Sequence, residues 1–289
     1  MTFPRPFRPE RPPMPPGYAC STLTLLALLL LALPAAAQML PPDEAGAMDR
    51  LQTSLRHGEW VTYDAGDGDT VSAWTVYPER SDAAGVVVVI HEIFGLTDWI
   101  RAVADQVAAE GYIAIAPDLL SGKGPEGGGT ESFESGDVRR AIASLDRSEV
   151  NRRLQAAAEY ATALPAAAPG VASVGFCWGG GTSFELAAAW PELDGAVVYY
   201  GTPPAPERLR NVEAPVLGLY GGDDNRVTST VPTTREAMER LGKRYEAAIY
   251  EGAGHGFLRA QDGRDGANME ASRQAWPRTV AFLRDILGG

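Results

Sequence analysis

The run Gly175-Phe176-Cys177-Trp178-Gly179-Gly180 sets a thiol where a nucleophile is useful. An alternating apolar stretch, Val171 to Phe176, leads into it, and helix formers from Phe184 to Trp190 follow. That context reads as a strand turning sharply into a helix, with cysteine where the G-x-S-x-G turn carries serine. Glycines flank such a turn because strand and helix crowd each other there. A thiol at a helix N-terminus gains acidity, and backbone N–H groups nearby face a developing oxyanion. Taken alone, the motif also fits an inert, buried cysteine beside a glycine-rich turn.

A thiol nucleophile needs a base, and the base needs an orienting partner. His255 follows the strand-like run Tyr245 to Tyr250, inside Gly254-His255-Gly256-Phe257. Asp224 follows Val216 to Tyr220, inside Gly221-Gly222-Asp223-Asp224-Asn225-Arg226-Val227. Singly, the histidine reads as a solvated loop residue and the aspartate as a turn former. Their order carries more weight. Cys177, Asp224 and His255 are 47 and 31 residues apart, enough for one strand–helix excursion each time. Nucleophile, acid and base in that order are the order of α/β-hydrolases. Asp224 is preferred to Asp223 because Asp224-Asn225-Arg226-Val227 fits the D-x-x-V turn usual in those enzymes; Asp223 is expected to cap the turn. His91 reads as structural and His57 as solvated.

The elements that must hold these groups are legible in outline. Glu59–Tyr63 and Thr70–Tyr77 flank Ala65-Gly66-Asp67-Gly68-Asp69, a hairpin signature. The β-branched run from Gly85 to Ile90 predicts a central strand buried on both faces. Trp99–Glu110 has helical periodicity ending at Gly111, and Tyr112–Ala116 is a strand. A glycine-rich loop spans Ser121 to Thr130, with helical pattern from Val138 to Leu164. Ala196–Tyr200 and Val216–Tyr220 read as buried strands, Thr233–Leu241 and Arg273–Leu287 as helices. A hairpin followed by strand–helix alternation implies an α/β fold: a mostly parallel central sheet with helices on both faces. Ligands in such sheets sit at the carboxyl ends of strands, where each candidate residue falls.

The chain has 289 residues. Arg5, Arg8 and Arg11 precede an almost pure Leu/Ala run, Leu23 to Leu33, and Pro34-Ala35-Ala36-Ala37 offers a cleavage site. Residues 1–37 therefore read as a signal peptide and the protein as exported, periplasmic or secreted; the apolar run is short for a membrane span, and an uncleaved anchor is the alternative. Residues 38–57 read as a polar lead-in and 58–289 as the domain. Cleavage removes three Arg and one Glu, leaving 22 basic and 36 acidic residues and a formal charge of −14. Such a domain repels nucleic acid and anionic membranes. Cys177 becomes the only cysteine, so no internal disulfide forms. With three histidines and that one cysteine, no metal site is expected.

The segments His91-Glu92-Ile93-Phe94-Gly95 and Ala116-Pro117-Asp118-Leu119, with the cysteine turn and Gly254-His255-Gly256-Phe257, resemble the dienelactone hydrolase family over about residues 58–287. The resemblance implies an α/β-hydrolase fold and a Cys177–Asp224–His255 triad without metal or cofactor. It maps a catalytic glutamate onto Glu92, whose charge beside the thiol keeps it protonated at rest. In the family, substrate binding moves the thiol away from its resting partner, and the glutamate takes its proton. Backbone N–H groups of Ile93 and Trp178 are the expected oxyanion donors. In the family two arginines bind the lactone carboxylate. One maps to Arg259; the other belongs shortly after Pro117-Asp118-Leu119, where this chain offers Lys123, which lacks the bidentate fork. Gly256 stands where serine is usual. Phe94 and Trp178 are candidates to wall an apolar pocket.

The function expected is hydrolysis of small carboxylic esters or lactones by a monomer. An acyltransferase or peptidase on the same fold, or a non-catalytic binding module, are the alternatives.

Overall fold

The computed structural model describes residues 1–3, 39–134 and 136–288. The expected signal peptide and its cleavage site lie outside the described residues. Met39–Gly289 is one compact unit. Its elements run α1 (Ala47–Thr53), β1 (Gly58–Asp64), β2 (Thr70–Val76), β3 (Ala84–Ile90), α2 (Asp98–Ala109), β4 (Ile113–Pro117), α3 (Val138–Ala143), α4 (Arg147–Thr162), β5 (Ala167–Phe176), α5 (Trp178–Ala189), β6 (Gly195–Tyr199), β7 (Val216–Gly221), α6 (Asn225–Thr228), α7 (Val231–Arg240), β8 (Tyr245–Tyr250) and α8 (Ala267–Leu287).

Eight strands form one sheet in the order β1-β2-β4-β3-β5-β6-β7-β8. The β1–β2 hairpin joins antiparallel to β4, and every pairing from β4 to β8 is parallel. Both faces are covered, so the central strands can be apolar throughout, and all seven residues of β3 are buried. Val87 and Val89 pack with α2 and α8; Val86, Val88 and Ile90 pack with α4 and α5.

The helical pattern from Val138 to Leu164 is two helices. The chain turns extended at Asp146, whose side chain accepts hydrogen bonds from the N–H groups of Ser148 (2.9 Å) and Glu149 (3.0 Å). That cap starts α4 afresh. The last helix begins at Ala267, not Arg273, after a left-handed Gly266. The segment before the domain is docked on it. Trp99 Nε1 donates to Pro42 O (3.0 Å), and Arg50 reaches Asp105 and Gln106 on α2.

Candidate active site

Cys177 sits where β5 ends and α5 begins, with φ 57° and ψ −116°. A non-glycine residue in such a region costs about 1–3 kcal/mol and persists only where its surroundings impose it. Here they do. A side chain on Gly175 would stand 1.9 Å from Gly179 O, and one on Gly179 would stand 2.3 Å from His91 O. Strand, turn and helix thus close to backbone contact and push the thiol outward.

Two further loops meet it. His255 Nε2 lies 3.0 Å from Cys177 Sγ, and His255 Nδ1 lies 2.5 Å from Asp224 Oδ2. The acid's loop is stitched to the histidine's: Gly222 N–H donates to Tyr250 O (2.7 Å) and Asp223 N–H to Ala253 O (2.9 Å). Asp224 is buried, and its side chain caps no helix, which leaves it to the imidazole. Asp223 does not cap the turn with its side chain; its carboxylate pairs with Arg264 at 3.0 Å.

Glu92 leaves β3 and is buried, with Oε2 2.9 Å from Arg259 Nε. Burial pushes its carboxyl up to about 7, with Arg259 pulling down and Glu44 pushing further up. Burial, and then the charge of Glu92, raise the Cys177 thiol, while backbone hydrogen bonding from Trp178 and Ile93 and the field of Arg226 act against them. The sulfur's side-chain partner is His255, not Glu92, so the thiol lies against the imidazole. His91 is buried and neutral. Its Nδ1–H donates to Glu92 O (2.8 Å), its Nε2 accepts from Leu119 N–H (3.3 Å), and its ring stacks on Trp178. It holds the loop rather than facing the thiol.

A cavity of about 720 Å³ opens over the sulfur, lined by Glu92, Ile93, Phe94, Trp178, His255 and Arg259 among others. Lys123 is not on its wall. The loop after β4 is tied back to β2 through Ser121, whose Oγ accepts from Ser72 N–H (3.0 Å), and Lys123 pairs with Glu149 at 2.7 Å in a separate groove. The expectation that it helps bind substrate is corrected on that geometry. Phe94 carries the guanidinium carbons of Arg259 and Arg139 each 4.9 Å from its ring centroid.

Tyr200 was not anticipated. It follows β6 with φ 41°, is fully buried, and packs its ring on His255 with centroids 5.1 Å apart. Its hydroxyl finds no hydrogen-bond partner among the described residues, and burial, then the fields of Glu92 and Cys177, hold it far from ionising. The signal was its place at the carboxyl end of a parallel strand, ahead of Gly201, where a side chain would meet the backbone of α5 at 2.2 Å. Among the described residues, no three His, Cys, Asp or Glu side chains converge as a metal set.

A cysteine on a strained strand–helix turn, met by histidine and aspartate from loops after later parallel strands, defines an α/β-hydrolase. The Dienelactone hydrolase family model matches residues 71–287, and the chain belongs to that family. A relative from Saccharolobus solfataricus, provisionally named a carboxymethylenebutenolidase, is 32% identical over 257 residues, covering 78% of this chain and 98% of its own. The structure of a Klebsiella pneumoniae protein, provisionally titled a dienelactone hydrolase, superposes with a TM-score of 0.69 at 28% identity, over 79% of this chain and 98% of that one. A dienelactone hydrolase-like promiscuous phosphotriesterase from metagenomic libraries has the same score at 25% identity, over 81% of this chain and all of that one.

Proposed function

We propose that this dienelactone hydrolase-like protein cleaves carboxylic esters or lactones through a thioester on Cys177. Cys177 Sγ attacks the substrate carbonyl as its proton passes to His255 Nε2, and Asp224 stabilises the imidazolium. The carbonyl electron pair moves to oxygen, and the N–H groups of Ile93 and Trp178 hold that oxyanion. Loss of one such donor costs about 3–4 kcal/mol in other hydrolases. Collapse breaks the C–O bond, and His255 protonates the leaving alkoxide. Water then attacks the thioester, giving its proton to His255. Collapse expels the thiolate, which takes that proton back. In a lactone the alkoxide stays tethered to the acyl group.

Glu92, through its charge near the sulfur, keeps the resting thiol neutral. The neutral thiol lessens oxidation between turnovers. The basic start and Leu/Ala run of residues 1–37 favour an exported enzyme.

The observation that carries the reading is the continuous contact from Cys177 Sγ through His255 to Asp224, at 3.0 and 2.5 Å. Burst kinetics with a 4-nitrophenyl ester test it. The expected result is a stoichiometric burst, with a trapped acyl adduct on Cys177 that hydroxylamine releases. An adduct on another residue, or turnover with Cys177 blocked, overturns it.

A further inference from the structure

Residues 39–56 precede the family match, yet they strap the body close to its cavity. Gln106 Nε2 donates to Met39 O (2.9 Å), Gln261 Nε2 to Pro41 O (2.9 Å) and Trp99 Nε1 to Pro42 O (3.0 Å). Within this strap Glu44 is tied twice to one residue. Its N–H donates to Arg259 O at 2.9 Å, and its Oε2 accepts from Arg259 Nη1 at 2.5 Å.

A guanidinium presents two planar forks, Nε with one terminal nitrogen and the two terminal nitrogens together. Glu92 Oε2 lies 2.9 Å from Nε as an ion-pair contact that is not aligned as a hydrogen bond, and Glu44 accepts from Nη1. Glu44 therefore engages the fork of the two terminal nitrogens, Glu92 crowds the fork at Nε, and Phe94 lies 4.9 Å from the guanidinium carbon. A substrate carboxylate seeking two parallel bonds must displace a resident carboxylate, against the repulsion of both. Glu92 lines the cavity; Glu44 comes from outside it. Its side chain is 65% exposed, so the contact opens readily and slows anionic substrates without excluding them.

We propose that Glu44 is a specificity-determining residue: by occupying the outer fork of Arg259 it turns the pocket away from carboxylate-bearing substrates and toward neutral esters and lactones. The inference rests on the function proposed above.

The test compares 4-nitrophenyl butyrate with mono-4-nitrophenyl glutarate on the full chain and on Glu44→Ala, Glu44→Gln, Asp49→Asn, Arg259→Ala and the Glu44→Ala/Arg259→Ala double variant. Glu44→Ala should lower KM for the glutarate ester about fivefold or more and leave butyrate within twofold. Glu44→Gln should move the same way. Asp49→Asn, which removes an exposed charge from the same strap, should leave the ratio of the two KM values unchanged, and Glu44→Ala should lose its effect when Arg259 is absent. Calorimetric titration with glutarate should show binding about fivefold tighter to Glu44→Ala than to the unaltered chain. An unchanged KM ratio and glutarate affinity overturns the proposal. So does a shift shared by both esters, an equal shift in Asp49→Asn, or an effect that survives without Arg259. Turnover of neither ester counts against hydrolysis itself, and the glutarate titration then still decides the role of Glu44.

Discussion

Of two hollows among the described residues, the larger is not the one with the thiol. The groove beside Lys123 encloses about 1040 Å³, the cavity over Cys177 about 720 Å³. In the groove the charges close on one another: Lys123 on Glu149 (2.7 Å), Arg153 on Glu149 (3.1 Å) and Asp69 (2.7 Å), Arg152 on Asp69 (2.9 Å). Burial works to raise the Asp69 carboxyl, but Arg153 and Arg152 outweigh it and hold it below the usual range. In the cavity the balance runs the other way. Burial lifts both Glu92 and Cys177 toward their neutral forms, and the Tyr200 hydroxyl has no hydrogen-bond partner among the described residues. Matched ion pairs make a rigid wall, whereas poised protons and backbone strain make a reactive one. Volume distinguishes neither.

The sharpest way to break this contrast is substitution of the thiol. Cys177→Ala should leave less than one per cent of ester turnover, whereas Lys123→Ala should stay within twofold; comparable losses in steady-state assays would erase the distinction. Next comes the pair of aspartates. Asp224→Asn should lower kcat about 10³-fold or more by spoiling the imidazole's orientation, and Asp223→Asn less than tenfold; the reverse ranking would reassign the acid.

Glu92 offers a thermodynamic version. Its carboxyl titrates near 7 when folded against 4.5 as its ordinary value, so between those values the folded state binds a proton the unfolded state lacks. Its contribution to stability is therefore greatest below about pH 4.5 and falls as pH rises through 7, by about 3 kcal/mol in all. Glu92→Gln should flatten that slope in denaturant titrations at pH 5 and 8; an unchanged slope would mean that Glu92 is ionised throughout. On the groove's side, Arg153→Met should cost about 1 to 3 kcal/mol in the same titrations while esterase activity persists, because it leaves Asp69 to Arg152 alone and takes the Arg153 donor from Leu119 O. Loss of activity in a still-folded protein would join the two hollows that the contrast separates.

The sheet was legible because its central strands are covered on both sides and read as unbroken β-branched runs, Gly85 to Ile90 above all. The order of Cys177, Asp224 and His255 was legible because each follows a parallel strand of the sheet. What could not be read was direction away from the sheet. Lys123 follows Pro117-Asp118-Leu119 closely in sequence, but hydrogen bonds from the Thr130 N–H and hydroxyl to Asp118 and from Ser72 N–H to Ser121 Oγ turn its loop toward α4. Glu44 was hidden for a related reason, since a polar segment gives no periodicity to show what it packs against. The break before Arg147 did have a local signature, Asp146 three residues ahead of Glu149, which the helical pattern on either side obscured.

Helix α3 has only six residues, with the Asp146 cap shortly after it. Ile142 and Ala143 on it face the cavity, yet no strand pairing passes through it. Changes in the size or shape of the molecule the cavity admits can therefore accumulate in this short span over evolutionary time, or by directed mutagenesis, while the sulfur and imidazole keep their positions.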